Sequence, residues 1–270
     1  MPTPILLTLK RRNMSSASDS ATFLPMKTYF LSDAHLGSLA FSDSREKERI
    51  LVSFLDSIKH EATAIYLLGD MFDFWHEWSE VVPKGYTRFL GKLSELTDLG
   101  VEVHYFLGNH DIWAYSYLHD ECGVTLHSAP AIVSFPSATV YMAHGDGLGD
   151  SNASFRFLRG VFHSRVLQWL FRTFIPTSYA LRFGLAWARH SRLKERDESY
   201  KGEQDEPLVR YAKAYLKEHP EVSLFIFGHR HIELDLMLSR SSRLVILGDC
   251  YSHFTYGVLD DKGFRLDNFA

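Results

Sequence analysis

Seven short runs rich in β-branched and aromatic residues recur along the chain: Thr28–Leu31, Ala64–Leu68, Val101–Leu107, Thr139–Ala143, Ser223–Phe227, Leu244–Leu247 and Tyr256–Leu259. Their length and composition predict buried strands. Between them the apolar spacing changes. Arg45–Ile58 places Ile50, Leu51, Phe54, Leu55 and Ile58 on one side of a helix. Tyr86–Leu99 and Leu208–Lys217 read the same way, and Pro207 suits a first helical turn. Alternating strands and helices predict an α/β fold with helices layered over sheets. No internal repeat is present.

The polar residues that interrupt this pattern sit just beyond the strand ends. Asp33 follows Tyr29-Phe30-Leu31-Ser32, Asp70 follows Ile65–Gly69, and Asn109 follows Tyr105–Gly108. His144 follows Val140–Ala143 and His229 follows Leu224–Gly228. In open α/β sheets ligands bind at the carboxyl ends of strands. Five strands therefore deliver Asp, Asn or His to one edge.

Bulk properties narrow the setting. The 270 residues suffice for one large domain or for one domain with an insertion. A hydrophobic share of 46% and a charged share of 23% are ordinary for a globular protein. A net charge of −4 gives no sign of nucleic-acid wrapping, and no nucleic-acid partner is expected. Cys122 and Cys250 lack a CxxC spacing, which suggests inert thiols in a reducing compartment. At the start, Ile5–Leu9 is a short apolar run, and Lys10-Arg11-Arg12 follows it. That order is wrong for a secretory signal. The expectation for residues 1–25 is a disordered extension, with Met26 a candidate start, ahead of a domain spanning 26–270. No stretch of 18 uncharged apolar residues occurs, so no transmembrane helix is expected.

The strand-end residues fall into blocks: Asp33-Ala-His35, Gly69-Asp70, Gly108-Asn109-His110-Asp111, His144, and Gly228-His229-Arg230-His231. Taken singly each could be a surface turn, a polar turn or part of a half-exposed strand. Jointly they suit a pair of divalent ions. Two ions roughly 3.5–4 Å apart can clamp the attacking and leaving oxygens of a displacement at phosphorus. Carboxylate, amide and imidazole ligands without thiolates suit Mn²⁺, with Fe²⁺ or Zn²⁺ as alternatives. The glycines before the ligands fit a backbone turning sharply off a strand.

In these blocks, from Lys27 to about residue 260, the chain resembles the calcineurin-like metallophosphoesterases. The resemblance implies a layered αββα sandwich. It implies that Asp33, His35 and His231 hold one ion, that Asn109, His144 and His229 hold the other, and that Asp70 bridges them. It also implies that His110 faces the phosphate as a catalytic group, with Asp111 orienting its imidazole and Asp73 supporting the site.

About 80 residues separate His144 from His229, more than one crossover helix needs. Within them, Ala153–Lys194 holds seven Arg, one Lys and no acidic residue. This is a cationic island on an otherwise acidic chain, and it points to an anionic partner. The segment is also aromatic, and Pro176 predicts two helical halves. Val166, Leu167, Leu170, Phe171 and Phe174 form one apolar face, and Leu181, Leu185 and Ala188 form another. A basic amphipathic hairpin suits an anionic membrane surface or an acylated ligand. Two ordinary packing helices with a solvated Arg face are the plainer alternative.

Gly69-Asp70-Met71-Phe72-Asp73-Phe74-Trp75, His144-Gly145-Asp146-Gly147-Leu148 and this insertion at about 153–200 are similar to the UDP-2,3-diacylglucosamine diphosphatases of lipid A biosynthesis. That resemblance implies hydrolysis of an acylated UDP-sugar to UMP and an acylated sugar 1-phosphate. It further implies an insertion that acts as a lid over the acyl chains, and cytoplasmic enzymes lying peripherally on the inner membrane. Asn109, His110, Arg189, Ser191, Arg192 and Lys194 would then contact substrate. Well-known members carry Arg where this chain has His110. Another phosphoesterase activity on the same scaffold, or a scaffold without catalysis, remains open at this point.

Overall fold

The structure is a computed structural model that describes residues 3–7, 27–40, 43–149, 153–195 and 199–270, excepting the side chains of 153–156, 158 and 191–195. In chain order the elements are β1 (Ile5–Leu7), β2 (Lys27–Leu31), α1 (Ser44–Ile58), β3 (Ala62–Leu67), α2 (Thr87–Asp98), β4 (Glu102–Phe106), α3 (Tyr117–Cys122), β5 (Thr125–His127), β6 (Ala131–Ser134) and β7 (Thr139–Ala143). The insertion supplies α4 (Ala153–His163), α5 (Arg165–Phe174) and α6 (Thr177–Glu195). The chain then returns through α7 (Pro207–Glu218), β8 (Leu224–Phe227), β9 (Glu233–Met237), β10 (Arg243–Leu247), β11 (Thr255–Asp260) and β12 (Gly263–Asn268).

The strands form two six-stranded sheets, ordered β1-β6-β7-β8-β10-β9 and β12-β11-β2-β3-β4-β5. Side-chain alternation along each strand builds the layers. In β2 and β3, Phe30, Ala64 and Tyr66 point between the sheets, while Tyr29, Leu31, Ile65 and Leu67 join Leu51, Leu55, Phe89, Leu93 and Leu118 beneath α1, α2 and α3. In β7, β8 and β10, Val140, Met142, Leu224, Ile226 and Val245 face the other sheet, and Tyr141, Phe225, Phe227, Leu244 and Ile246 pack under α7. Both faces of the central strands are apolar because both are covered. The result is the expected αββα sandwich.

Two expectations change. Residues 5–7 belong to no disordered extension: β1 pairs in parallel with β6 in the register Ile5↔Ala131 to Leu7↔Val133. Leu7 packs against the inter-sheet core, which gives this short run a reason to be apolar. Residues 1–2 and 8–26 lie outside the described residues. The insertion forms three helices in place of two halves. Besides the break before Pro176, Ser164 caps α5 by accepting from Leu167 N at 3.4 Å. No described helix is long and apolar enough to cross a membrane.

Because β1 is a three-residue edge strand, its removal touches little of the core. A chain begun at Met26 should fold with the inter-sheet core intact and lose no more than about 2 kcal/mol, the worth of one partly buried Leu and a few net hydrogen bonds. Urea unfolding measures this, and a much larger loss would mean that residues 1–25 hold the sheet together.

Candidate metal centre

β2, β3 and β4 run parallel to one another, as do β7 and β8. The loops leaving their carboxyl ends continue to pair beyond the strands. His35 N donates to Asp70 O at 2.9 Å, Leu36 N to Met71 O at 2.9 Å, and Trp75 N to His110 O at 3.1 Å. Between the sheets the Asp33 carboxylate accepts from a backbone amide: His229 N, beyond β8, donates to Asp33 Oδ2 at 2.9 Å. These cross-links bring all seven expected ligands to one place.

That crowding is recorded in the backbone. Among the described residues, seven non-glycine positions have positive φ, and five are Asp33 (55°), His35 (43°), Asp70 (54°), His229 (68°) and His231 (48°). Left-handed backbone at a residue with a Cβ is strained by of order 1–3 kcal/mol and clusters where function imposes it.

The glycines before the ligands serve a different end from the one expected of sharp turns. Only Gly69 has positive φ, at 89°. A Cβ on Gly108 would lie 2.1 Å from Asp70 Oδ1 and 2.7 Å from Asp70 N, and one on Gly228 would lie 2.4 Å from Ser32 Oγ. Gly108 and Gly228 exist to let neighbouring loops approach.

Among the described residues three donor clusters arise, each with ligand atoms within 4.8 Å of one another: Asp33, His35 and His231; Asp70, His144 and His229; and His35, Asp70 and His110. The first two match the expected division, and Asn109 Oδ1 adds to the second at 3.2 Å from His144 Nε2. Asp70 Oδ2 lies 3.3 Å from His144 Nε2 and 3.9 Å from His35 Nε2, between the two sets.

The residues fit a cation by their hydrogen bonding. His144 Nδ1 faces Leu68 O at 2.8 Å, and a carbonyl can only accept, so Nδ1 carries the proton. Nε2 then faces Asn109 Oδ1 and Asp70 Oδ2, which are also acceptors. Burial opposes a second proton there, but the charge and hydrogen bond of Asp70 outweigh it and hold the imidazole well above its ordinary value. Acceptors facing acceptors are what a bound cation resolves. In the other set, His35 Nε2 and His231 Nε2 face each other at 3.2 Å, with Asp33 Oδ1 at 3.1 Å from His231 Nε2.

The electrostatics agree. Burial opposes ionisation of Asp33, yet hydrogen bonding and charge from His231, then His35 and His144, hold its carboxyl well below the usual range. Burial likewise opposes ionisation of Asp70, and His144 and His110 outweigh it. Burial, then the charge of His144, pushes His229 down to about 4, which favours the neutral imidazole a metal requires.

Neighbouring groups orient the ligands, and one departs from expectation. His110 Nδ1 donates to Asp73 O at 2.7 Å, so the Asp73 backbone and not Asp111 fixes that imidazole. Asp111 is a brace: its Oδ1 accepts from Gly108 N at 2.7 Å, and its Oδ2 accepts from Met71 N at 3.0 Å and from Tyr105 OH. Burial, then the Asp70 charge, raises its carboxyl to about 6. The Asp73 carboxylate stands 3.6 Å from His35 Nδ1. Tyr251, unmarked in the sequence, places its hydroxyl 3.3 Å from His231 Nδ1. Asp249 holds that turn by accepting from Tyr251 N at 3.0 Å and His253 N at 2.9 Å.

Over the centre, α6 crosses Phe74 at Gly184, where a Cβ would meet the ring at 2.4 Å. Trp113 Nε1 donates to Phe162 O at 2.9 Å, and Arg159 Nε to Asp146 Oδ2 at 2.7 Å. A narrow slot of about 70 Å³ starts at Asn109 and His110 and runs between Phe74, Trp113, Phe162, Phe183 and Trp187. Leu170 and Phe174 do not face it; both are exposed. Arg189 is exposed at the far end of α6, and the side chains of Ser191, Arg192 and Lys194 lie outside the described residues.

Gly108→Ala should weaken divalent-metal affinity by at least about tenfold, the usual consequence of disturbing a ligand's supporting contacts. Gly91→Ala, whose Cβ would meet nothing within 4 Å, is the control and should leave it unchanged. Calorimetric titration with Mn²⁺ reads both, and equal affinities would mean that the loops are not tightly matched.

Residues 26–233 match the family described as calcineurin-like phosphoesterase. The UDP-2,3-diacylglucosamine hydrolase of Porphyromonas gingivalis is 40% identical to the chain over 254 residues, covering 90% of this chain and 97% of that one. Those of Edwardsiella ictaluri and Vibrio vulnificus are 27% identical over 248 residues and 28% identical over 249, covering 89% and 90% of this chain and 91% and 97% of their own lengths. The motif blocks, the two donor clusters between the sheets and the span of the match lead to one conclusion: the chain belongs to the calcineurin-like phosphoesterases, a family of dimetal-dependent enzymes.

Proposed function

We propose that the chain hydrolyses the pyrophosphate bond of UDP-2,3-diacylglucosamine, giving UMP and 2,3-diacylglucosamine 1-phosphate. The observation that carries this reading is the aromatic slot that opens on Asn109 and His110. An enzyme acting on a small polar phosphodiester gains nothing from apolar walls beside its reacting centre. One acting on an acylated sugar does, since each buried CH₂ is worth roughly 0.8 kcal/mol. The three hydrolases named above support the same substrate.

In this reading Asp33, His35 and His231 would hold one divalent ion, Asn109, His144 and His229 would hold the second, and Asp70 would serve both. Mn²⁺ suits these oxygen and nitrogen donors, as do Fe²⁺ and Zn²⁺. Bound ions supply Lewis acidity and neutralise phosphoryl charge. The chain's own residues do the rest. Water adds to one phosphorus, and the bridging oxygen departs with the other phosphate. His110, its Nδ1 fixed on Asp73 O, presents Nε2 to the phosphoryl oxygens and donates when protonated. Asp111 keeps the Asp70 and Asn109 loops in register. The packed aromatic rings exclude water from the acyl side.

With α4 and α6 as they stand the slot is too narrow for an acyl chain, so substrate entry parts them. On the insertion helices Phe157, Val166, Phe174 and Tyr179 are exposed, as are Arg182 and Arg189. Apolar and cationic groups together suit an anionic membrane surface, where a diacylated substrate resides. Arg189, with Ser191, Arg192 and Lys194 further along, is the candidate contact for the sugar phosphate.

Asp70→Ala should lower kcat by at least about a thousandfold, in line with removal of a group that organises the reacting centre. His110→Ala should lower kcat while metal content measured by elemental analysis stays the same. Loss of one equivalent of metal would make His110 a ligand, as its cluster with His35 and Asp70 allows. Phe183→Asp and Trp187→Asp should reduce kcat/KM for the diacylated substrate at least tenfold more than for bis(p-nitrophenyl) phosphate, about the cost of two buried methylenes lost to each. Equal losses on both substrates would remove the support for an acylated substrate.

A further inference from the structure

A second cavity meets the same centre from another direction. It is a cleft of about 710 Å³ between α4–α5 and the loops that follow β5 and β7. His144 stands at its inner end, and its walls include Asp146, Arg159, Arg165, Trp169 and Arg172. We infer that this cleft seats the nucleoside monophosphate half of the substrate, with the phosphate toward His144 and the base on the α5 wall. The inference rests on the reaction proposed above and adds where each half of the substrate goes.

A pyrophosphate lying across the metal centre must send its two substituents apart. The slot leaves from Asn109 and His110, and the cleft leaves from His144. The chemistry of the two cavities is opposite. Among the described residues, His110 is the one ionisable side chain in the lining of the slot. Among the described residues the cleft has three arginines and one carboxylate, Asp146, which Arg159 already neutralises at 2.7 Å. Among the described residues, neither Arg165 nor Arg172 is paired with a carboxylate; Arg172 instead lies 5.9 Å over the Tyr115 ring. Placing an acyl chain here would strip water from guanidinium groups and return no hydrogen bond, which is costly. A dianionic phosphate and a ribose satisfy them.

The remaining requirement is a seat for a flat base. Trp169 is 52% exposed and Tyr115 is 40% exposed, so each offers part of an aromatic face within the cleft. Base–aromatic stacking is a well-worn mode of nucleotide recognition. Tyr115 is held in place because its hydroxyl donates to Gln168 Oε1 at 3.0 Å, while Gln168 Nε2 donates to Phe162 O at 2.6 Å. Gln168 thus ties the nucleotide wall to Phe162, which also lines the slot. The cleft volume falls within the usual range of small-molecule sites, about 300–1,000 Å³.

The experiment uses the Mn²⁺-loaded enzyme and UMP itself as the probe, with binding measured by calorimetry. The double variant Arg165→Ala/Arg172→Ala and the single variant Trp169→Ala lie on α5 and can be checked for folding by circular dichroism. Each should bind UMP more weakly, the double variant by at least about tenfold, with a deficit that shrinks as salt is raised. The double variant's KM for the diacylated UDP-sugar should rise by a similar factor, with kcat changing less. Inhibition by 2,3-diacylglucosamine 1-phosphate should persist, whereas Phe183→Asp should show the reverse pattern. UMP affinity equal to that of the parent enzyme, or loss of sugar phosphate inhibition in its place, overturns the assignment of the cleft. The reaction proposal fails separately: a parent enzyme that does not hydrolyse the diacylated UDP-sugar sinks it. The cleft assignment would still stand, for a nucleotide, if UMP affinity fell in the double variant.

Discussion

Carboxylate oxygens accepting backbone N–H groups from neighbouring loops are what the centre depends on. Asp70 takes His110 N, Asp33 takes His229 N, and Asp111 takes both Gly108 N and Met71 N. All but the Gly108 bond join loops that leave different strands, and the one at Asp33 joins the two sheets. The carboxylates are buried, and no Lys or Arg neutralises Asp33, Asp70 or Asp111 among the described residues. Uncompensated charge of that density is costly in an apolar interior. The fold tolerates it because the hydrogen bonds and the facing imidazoles already offset part of it, and cations complete the balance.

From that arrangement the visibility of the site in the sequence follows. Strands covered on both faces must be apolar throughout, so a polar residue directly after one stands out. Asp33, Asp70, Asn109, His144 and His229 were legible for this reason. Edge strands announce themselves less. β9 alternates Glu233, Leu234, Asp235, Leu236 and Met237 with fewer than half its side chains partly covered, and β5 is three residues long. β1 escaped because a three-residue pairing has no period to detect.

Side-chain partnerships were less legible than positions. The family resemblance implied Asp111 as the partner of the neighbouring imidazole, but the turn aims the carboxylate back at backbone amides. Tyr251 lies in a turn without periodicity, twenty residues beyond the His231 that it touches. The chain's passage from β10 in one sheet to β11 beside β2 in the other brings it there. A ligand stands out in the sequence because Asp or His is rare at the end of a buried strand, whereas a tyrosine in a turn is commonplace. Within the insertion, composition indicated charge and apolarity correctly. It could not say which face turns inward, because α5 carries Trp169 and Phe171 on opposite sides.

The left-handed backbone at five of the ligands has an evolutionary consequence. Every one of these residues carries a Cβ in a conformation that Gly or Asn would occupy more comfortably. A lineage that no longer needed the chemistry would gain stability by drifting toward Gly at Asp33, Asp70 or His229, since function alone opposes that drift. Side chains that persist at these angles therefore mark purifying selection physically, in a single chain and without any relatives to compare.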